Sequence, residues 1–218
     1  MLRGSRIVII ESVSLIDSLD GRSESSALSN MLKILGHDVC VLPTKSRFDL
    51  TENCEYIASM TEYHDELVER KQKPLFIHFA CHGNMDCLGF GKDDVKWDEL
   101  GELLLPTFRS KYKGDISICL SACEASHNTL SEYFKKAVDQ KKTSAPPSYI
   151  ISTENELEWD DAAVAWTIFY HKLNKMERDD VRNKLDDIYE MGIAGLHYKR
   201  WIKDKMRYRK NTIKSSGE

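Results

Sequence analysis

The sequence lacks long hydrophobic runs, closely spaced cysteines and internal repeats. No stretch approaches the roughly 20 consecutive apolar residues of a membrane-spanning helix, so no membrane segment is expected. The start of the chain, MLRGSRIVIIES, has only a short apolar run between basic and acidic residues, which favours a buried strand over a signal peptide. Six cysteines without dense spacing exclude a secreted disulfide scaffold and favour reduced thiols in a cytoplasmic protein.

Charge is distributed unevenly along the chain. The net charge is −4, but residues 198–214 carry eight basic residues and one acidic residue, so the remainder is more acidic than the total suggests. This balance excludes a general nucleic-acid-binding protein. Residues 198–218 are interpreted as a basic helical tail whose aromatic residues either pack on the domain or help to contact an anionic partner. A nucleotide or another anionic small molecule is the activator that such a tail suits.

Predicted strands and helices alternate along the chain. Apolar runs bounded by turn residues predict five strands, at 6–10, 37–42, 74–80, 115–120 and 149–152. Helical periodicity predicts helices at 23–35, 52–70, 99–105 (capped by Asp98), 129–138 and 160–173, with further helix thereafter. Two short runs, 87–90 and 95–97, predict a hairpin, and the polar segment 139–147 predicts a loop.

This alternation predicts a single α/β domain over residues 1–218. Strands separated by helices form mainly parallel sheets that are covered by helices on both faces. Such sheets bind their ligands at the carboxyl ends of the strands. Functional residues are therefore expected directly after strands.

Two of the predicted strands are followed by residues that can perform chemistry. Cys81-His82-Gly83 follows one strand, and Ser121-Ala122-Cys123-Glu124 follows the next. If these strands are parallel neighbours, His82 faces Cys123, and an adjacent imidazole is the usual means of generating a nucleophilic thiolate at neutral pH. The backbone N–H groups of Gly83 and Cys123 are candidates for an oxyanion hole.

A His-Gly pair after one strand and an Ala-Cys pair after the next resemble the caspase-like, or clan CD, cysteine peptidases. Caspases place the histidine about 50 residues before the cysteine, and here the separation is 41 residues. The sequence is more similar to the CHAT subfamily, in which caspase-like domains occur with tetratricopeptide repeats. The similarity covers Leu75 to Leu173 and comprises CHG, LGFGKDDVKWDEL, SACEAS and WDDAAVAWTIFYHKL in that order.

The resemblance implies a caspase-like cysteine endopeptidase that needs no metal or organic cofactor and acts on protein substrates. It also implies a regulated bacterial effector, in antiviral defence or cell-death signalling, that a ligand or partner activates. The tetratricopeptide repeats of many CHAT proteins do not occur in this sequence. Ser121 replaces the glutamine that caspases carry two residues before the nucleophile.

Four residues are candidates for binding substrate. Caspases have an arginine in a context similar to that of Arg22, where it binds the substrate aspartate, and an arginine pairs well with a carboxylate. The other three candidates are Ser121, Glu124 and Asp161. Three of the four also have a plainer interpretation: Arg22 as an exposed loop residue, Glu124 as a solvated acid and Asp161 as a charge that stabilises a helix N-terminus.

Two alternatives to a peptidase remain open on the sequence. Four side chains, those of Cys81, His82, Cys119 and Cys123, could supply zinc ligands, although no CxxC or HxxxH spacing is present. Core packing is the plainer interpretation of Cys81 and Cys119, as it is of His78 within an apolar strand. The second alternative is a ligand-binding or scaffold domain that keeps the fold without turnover.

Overall fold

The computed structural model describes residues 4–63, 73–110, 112, 114–153, 156, 158–173 and 196–211. Its strands are β1 (Arg6–Glu11), β2 (Asp38–Pro43), β3 (Leu75–Ala80), β4 (His82–Gly83), β5 (Cys87–Phe90), β6 (Asp93–Lys96), β7 (Ile116–Ser121), β8 (Tyr149–Thr153), β9 (Leu196–Ile202) and β10 (Arg207–Asn211). Its α-helices are α1 (Leu15–Leu19), α2 (Glu24–Ile34), α3 (Arg47–Tyr63), α4 (Trp97–Arg109), α5 (Leu130–Asp139) and α6 (Trp159–Leu173). Two 3-10 turns span Ala125–His127 and Lys203–Lys205.

The main sheet has seven strands in the order β10-β9-β8-β7-β3-β1-β2. The five strands from β8 to β2 are parallel to one another, and β9 and β10 are antiparallel to their neighbours. The mainly parallel α/β fold expected from the alternation of strands and helices is therefore confirmed. All five predicted strands are present, with ends shifted by one residue at most.

Helices cover both faces of this sheet. The side chains of its central strands alternate between the two faces, so each face has apolar side chains to bury. Ile7 and Ile9 pack with buried residues of α2 and α6 in one cluster. Val8 and Ile10 pack with buried residues of α3, α4 and α5 in a second cluster. Both clusters are apolar, which explains why the strands read as continuous hydrophobic runs.

A second sheet contains β4, β5 and β6. The predicted hairpin is confirmed as β5 and β6, which turn at Gly91 with a φ of 65°. A Cβ atom on Gly91 would lie 2.1 Å from the carbonyl oxygen of Lys45, so only glycine fits there. The third strand, β4, consists of His82 and Gly83 alone and pairs with β5.

The basic tail was predicted as a helix, and over residues 196–211 this prediction is wrong. The segment forms β9 and β10, an antiparallel pair in which β9 also pairs with β8. The edge of β8 presents backbone N–H and C=O groups that need hydrogen-bond partners, and β9 supplies them while burying Leu196 and Tyr198. The predicted helix at 174–195 and the end of the tail at 212–218 lie outside the described residues.

Helix boundaries also differ from the prediction in three places. Helix α4 begins at Trp97 after Lys96, and the Glu99 side chain accepts a hydrogen bond from the Lys96 N–H at 3.1 Å. Asp98 is therefore in the first turn and is not the cap. Helix α3 begins at Arg47 rather than at residue 52, and the predicted part at 64–70 lies outside the described residues. The short helix α1 was not predicted.

Across the part of the chain that is described, no helix has the length and apolar character required to span a membrane.

Candidate active site

The two segments that carry the candidate catalytic residues leave the main sheet side by side. Strands β3 and β7 are parallel neighbours, and Ala80 at the end of β3 is in register with Ser121 at the end of β7. The Cys81 N–H donates to the Ser121 carbonyl at 3.3 Å, which extends the contact beyond the last residue of β3. His82 and Cys123 therefore follow adjacent strand ends at the carboxyl edge of the sheet.

A cavity of about 130 Å³ lies at this edge. Two of the predicted catalytic residues and one predicted substrate-binding residue line it, together with residues from α2 and α6: Glu24, Cys81, His82, Ser121, Ala122, Cys123, Glu158, Trp159 and Ala162. The structure thus places His82, Ser121 and Cys123 around one space that is open to a ligand.

The imidazole of His82 is exposed and has contacts on two sides. Its side chain is 63% exposed, and its Nε2 atom lies 3.7 Å from Oδ2 of Asp17. The ring of Trp159 meets it edge to face, with 6.0 Å between the ring centroids. The carboxylate and the indole thus lie on two sides of the imidazole without enclosing it. Neither Asp17 nor Trp159 was predicted from the sequence.

The thiol of Cys123 is more accessible than most other thiols of the chain. Cys123 is half-buried, whereas Cys54, Cys81, Cys87 and Cys119 are buried. Burial raises the pKa of Cys119 to about 12, and burial followed by the charge of Glu24 raises the pKa of Cys81 still further. Both buried thiols are therefore protonated at neutral pH and unsuited to nucleophilic attack.

Hydrogen bonds to the carbonyl of Ala122, the residue before Cys123, fix the turn that follows Cys123. The Ala122 carbonyl accepts from the Thr153 hydroxyl and from the Ala125 N–H, the latter at 3.3 Å. Glu124, between these anchors, has a φ of 54°, a left-handed conformation that is uncommon for a residue other than glycine. The chain thus turns sharply at the residue that follows the candidate nucleophile.

Gly83 lies against the segment that carries the nucleophile. A Cβ atom at Gly83 would lie 2.9 Å from Cβ of Ala122 and 3.2 Å from the carbonyl oxygen of Cys123. Glycine therefore permits β4 to approach the end of β7 closely. This packing places the backbone of Gly83 beside the segment that carries the candidate nucleophile.

Glu24 forms a buried polar network at the cavity, and sequence reasoning missed it. Its Oε1 atom is 2.8 Å from Nε2 of His78, and its Oε2 atom accepts from the Ser121 hydroxyl at 2.7 Å. Nδ1 of His78 lies 3.1 Å from the hydroxyl of Tyr170, so the prediction that His78 is a satisfied core residue is confirmed. The one sequence signal for Glu24 was its position after Ser23, which caps α2.

The three other predicted substrate residues do not line the cavity. Arg22 has a 59% exposed side chain, and its Nη1 atom is 3.9 Å from Oδ1 of Asp17. Asp161 is exposed in the first turn of α6, and half-buried Glu124 occupies the turn described above. Of the four predicted substrate-binding residues, Ser121 therefore lines the cavity, and the other three lie outside it.

The four side chains of the zinc alternative do not converge. Cys81 packs in the cluster with α3, α4 and α5, whereas Cys119 packs in the cluster with α2 and α6 on the other face of the sheet. Among the described residues, no group of three or more histidine, cysteine or acidic side chains is arranged to hold a metal ion.

No protein-family model and no curated protein matches the sequence. The fold, however, is similar to that of solved structures. A crystal structure of caspase-1 from Spodoptera frugiperda matches with a TM-score of 0.57 and 18% identity, covering 96% of this chain and 84% of that chain. A structure of pro-Sf-caspase-1 matches at 16% identity, with a TM-score of 0.48 and coverage of 87% and 83%. The first of these comparisons shows that the chain has a caspase-like α/β fold.

Proposed function

We propose that this chain, which has a caspase-like fold, is a cysteine endopeptidase with Cys123 as nucleophile and His82 as general base. One observation carries the proposal: the two residues line the same cavity at the carboxyl ends of adjacent parallel strands. A thiol and an imidazole at one accessible cavity are the minimum set for thiol-dependent acyl transfer. Gly83, packed against Ala122 and Cys123, completes the set as a donor to the oxyanion.

The proposed reaction proceeds through a thioester. His82 takes the proton of the Cys123 thiol, and Sγ attacks the carbonyl carbon of the scissile peptide bond. The resulting oxyanion is stabilised by the backbone N–H groups of Gly83 and Cys123. His82 then donates the proton to the leaving amine as the C–N bond breaks. Water, deprotonated by His82, hydrolyses the acyl-enzyme and restores the thiol.

The cavity favours a substrate side chain that is not acidic. Among the described residues that line it, Glu24 and Glu158 are acidic, and His82 is the one that can carry positive charge. Ser121, which replaces the caspase glutamine, donates its hydroxyl proton to Glu24. A lysine or arginine side chain before the scissile bond would contact acids and the ring of Trp159.

Arg22, Glu124 and Asp161 are proposed to contact substrate residues that flank the one in the cavity. Arg22 is exposed beside Asp17, which itself approaches His82. An arginine at this place offers a carboxylate partner outside the cavity. On this proposal, an acidic substrate residue is recognised at a flanking position and not at the cavity.

The biological role that we propose is that of a regulated effector of bacterial defence or cell-death signalling, of CHAT type, acting in the cytoplasm on few protein substrates. The sequence resemblance supports this role. The exposure of His82 also supports regulation of the peptidase activity. An imidazole that the protein does not enclose can be oriented by a bound ligand or partner.

The second candidate is a domain that keeps the fold and binds a partner without turnover. The 3.7 Å between Nε2 of His82 and Oδ2 of Asp17, which exceeds a hydrogen bond, favours it because no described side chain holds the imidazole firmly. Catalytic contacts are nevertheless often long in the absence of substrate. Reactivity of Cys123 toward a peptide-based thiol probe separates the two candidates.

Peptide-library cleavage by the full chain tests the proposal. Cys123→Ala and His82→Ala are each expected to abolish cleavage while leaving the circular-dichroism spectrum unchanged, because nucleophile and base act as a unit. Cys40→Ala is the matched control, since Cys40 is also half-buried but lies on β2. Cleavage that persists in Cys123→Ala would show that the proposed nucleophile is wrong.

A further inference from the structure

A second and larger cavity, of about 430 Å³, lies next to the segment that follows Cys123. It is bounded by the 3-10 turn Ala125–His127, the first turns of α5 and the β9–β10 pair. None of the residues proposed for catalysis lines it. Its volume is within the usual range for small-molecule sites, about 300 to 1,000 Å³.

The cavity is strongly basic. Four cationic residues line it, against one acid, Glu132: Lys135, Lys199, Arg207 and Lys210. Within the part of the chain that the structure describes, Lys135 pairs with Asp139 at 2.5 Å, and no ion pair involves the other three. A cavity with this excess of positive charge attracts an anion.

Two of these cations face each other directly. Lys199 on β9 is in register with Lys210 on β10. Like charges opposite each other in an antiparallel pair destabilise the sheet. Burial lowers the pKa of Lys199, and the charge of Lys210 lowers it too, while Glu132 raises it. Glu132 and the Asn128 carbonyl, which accepts from Nζ of Lys199 at 2.6 Å, offset part of this repulsion. An anion between the two ammonium groups would offset more of it.

The start of helix α5 adds backbone donors to the same cavity. Thr129 occupies the N-cap position, but its side chain makes no capping hydrogen bond. The first N–H groups of a helix have no partner within the helix and bind phosphate or carboxylate groups readily. Thr129 and Ser131 both line the cavity, so the helix terminus opens into it.

Asn128 adds a buried hydrogen-bond acceptor to the same cavity. This residue lines the cavity and is only 1% exposed, and its Nδ2 atom donates to the Ala125 carbonyl at 2.6 Å. Its Oδ1 atom is buried and has no hydrogen-bond partner among the residues that the structure describes. A buried acceptor that lacks a partner is costly, so it is suited to a ligand that brings an O–H or N–H donor.

We propose that this cavity binds a small phosphate ester that carries hydroxyl or amino donors, of the size of a nucleotide. The phosphate lies between Lys199, Arg207 and Lys210 at the start of α5, and a donor group of the ligand reaches Oδ1 of Asn128. The ligand therefore fixes the segment from Glu124 to Asn128, which begins directly after Cys123. This last consequence, control of the nucleophile, rests on the proposed function, whereas the binding site does not.

Calorimetry on the full Cys123→Ala chain tests binding independently of proteolysis. The probes are adenosine 5′-monophosphate, inorganic phosphate and adenosine. We expect the monophosphate to bind more tightly than either other probe, and its affinity to fall at least about tenfold in Arg207→Met/Lys210→Met. Lys203→Met/Lys205→Met is the matched control, because it removes the same charge from the exposed turn of the same hairpin.

Three outcomes would overturn the binding site: no binding of the monophosphate, an equal loss of affinity in both double variants, or equal affinity for inorganic phosphate. Asn128→Ala is expected to abolish the preference for the nucleotide over inorganic phosphate, and a thermal melt checks that this variant folds. If Asn128→Ala does not fold, the test is the affinity of the unsubstituted cavity for adenosine 5′-monophosphate compared with that for inorganic phosphate.

The rate at which iodoacetamide alkylates Cys123 in the otherwise unchanged chain tests the link to the nucleophile. We expect adenosine 5′-monophosphate to change this rate and to leave the alkylation of Cys40 unchanged. An unchanged rate at a saturating probe concentration overturns the coupling and leaves the binding site in place.

Discussion

The Oδ2 atom of Asp17 lies 3.7 Å from Nε2 of His82, while the other carboxylate oxygen faces Arg22 at 3.9 Å. Asp17 is held by its own helix end, since its N–H donates to the Ser14 hydroxyl at 3.1 Å. The carboxylate is thus placed to orient the imidazole without touching substrate. Asp17 is a positioning residue in the proposed peptidase.

Asp17→Asn should lower kcat/KM about tenfold, because the amide cannot balance the positive charge that His82 acquires when it takes the thiol proton. The split between kcat and KM distinguishes this role from a structural one: kcat should fall while KM and the melting temperature stay nearly unchanged, because Asp17 does not touch substrate. Asp20→Asn, an exposed substitution in the same turn, is the control. An unchanged kcat in Asp17→Asn would contradict the positioning role.

Gly83→Ala should reduce both stability and activity. The added methyl group would lie 2.9 Å from Cβ of Ala122, so β4 or the end of β7 must move. Overpacking of this kind costs about 1–3 kcal/mol. Thermal melting and peptide cleavage measure the two effects. Gly89→Ala, where the nearest atoms would lie 3.7 Å away, should leave the melting temperature nearly unchanged.

Thiol alkylation at neutral pH should modify Cys123 and Cys40 first, because both are half-buried and burial raises the pKa of Cys54 and Cys119 to about 12. Mass spectrometry of iodoacetamide-treated protein measures each site. His82→Ala should slow alkylation of Cys123 and not that of Cys40. Equal effects at both sites would mean that His82 does not activate the thiol.

Peptides with lysine or arginine before the scissile bond should be cleaved faster than peptides with aspartate there, because Glu24 and Glu158 line the cavity. Glu158 is exposed, so its charge is screened by solvent. Glu158→Gln should therefore reduce the ratio of the two cleavage rates by about tenfold or less. Asp160→Asn, an exposed substitution in the first turn of the same helix, is the control. The opposite result would be faster cleavage of the aspartate peptides together with loss of that preference in Arg22→Ala. It would mean that Arg22 binds the substrate side chain that precedes the scissile bond.

The free energy of unfolding should fall as the pH is lowered below about 6.5, the ordinary pKa of histidine, because burial lowers the pKa of His37. Its Nδ1 atom accepts from the Ser5 N–H at 3.0 Å, so protonation there breaks a buried hydrogen bond. The unfolded chain therefore takes up this proton first, and stability present above that pH is lost below it. Urea titrations should show a smaller pH dependence in His37→Gln, whereas exposed His127→Gln should behave like the unsubstituted chain.

Much of the fold was predictable because its central strands are buried on both faces and therefore appear as continuous apolar runs. The neighbourhood of His82 and Cys123 followed from the same logic, since parallel strands end at one edge. The roles of Glu24 and Asp17 did not follow. Whether a residue on a short helix turn faces a cavity depends on how that helix packs, which the sequence period does not specify.

The strand pair β9 and β10 was predicted wrongly for a related reason. Its many lysines and arginines tolerate a helix or a strand equally, and the outcome depends on pairing with β8, which is distant in sequence. The basic cavity was hidden for the same reason, because Lys199 and Lys210 come together only through the register of that pair.

In the described part of the chain, β10 forms one outer edge of the main sheet. Outer strands can pair with other polypeptides through their unsatisfied backbone groups, which is a route to aggregation. Arg207, Arg209 and Lys210 make this strand cationic, and two copies that approached edge to edge would bring like charges together. The charges that suit β10 to an anionic ligand also oppose its self-association, so the solubility of the protein should depend on the same residues.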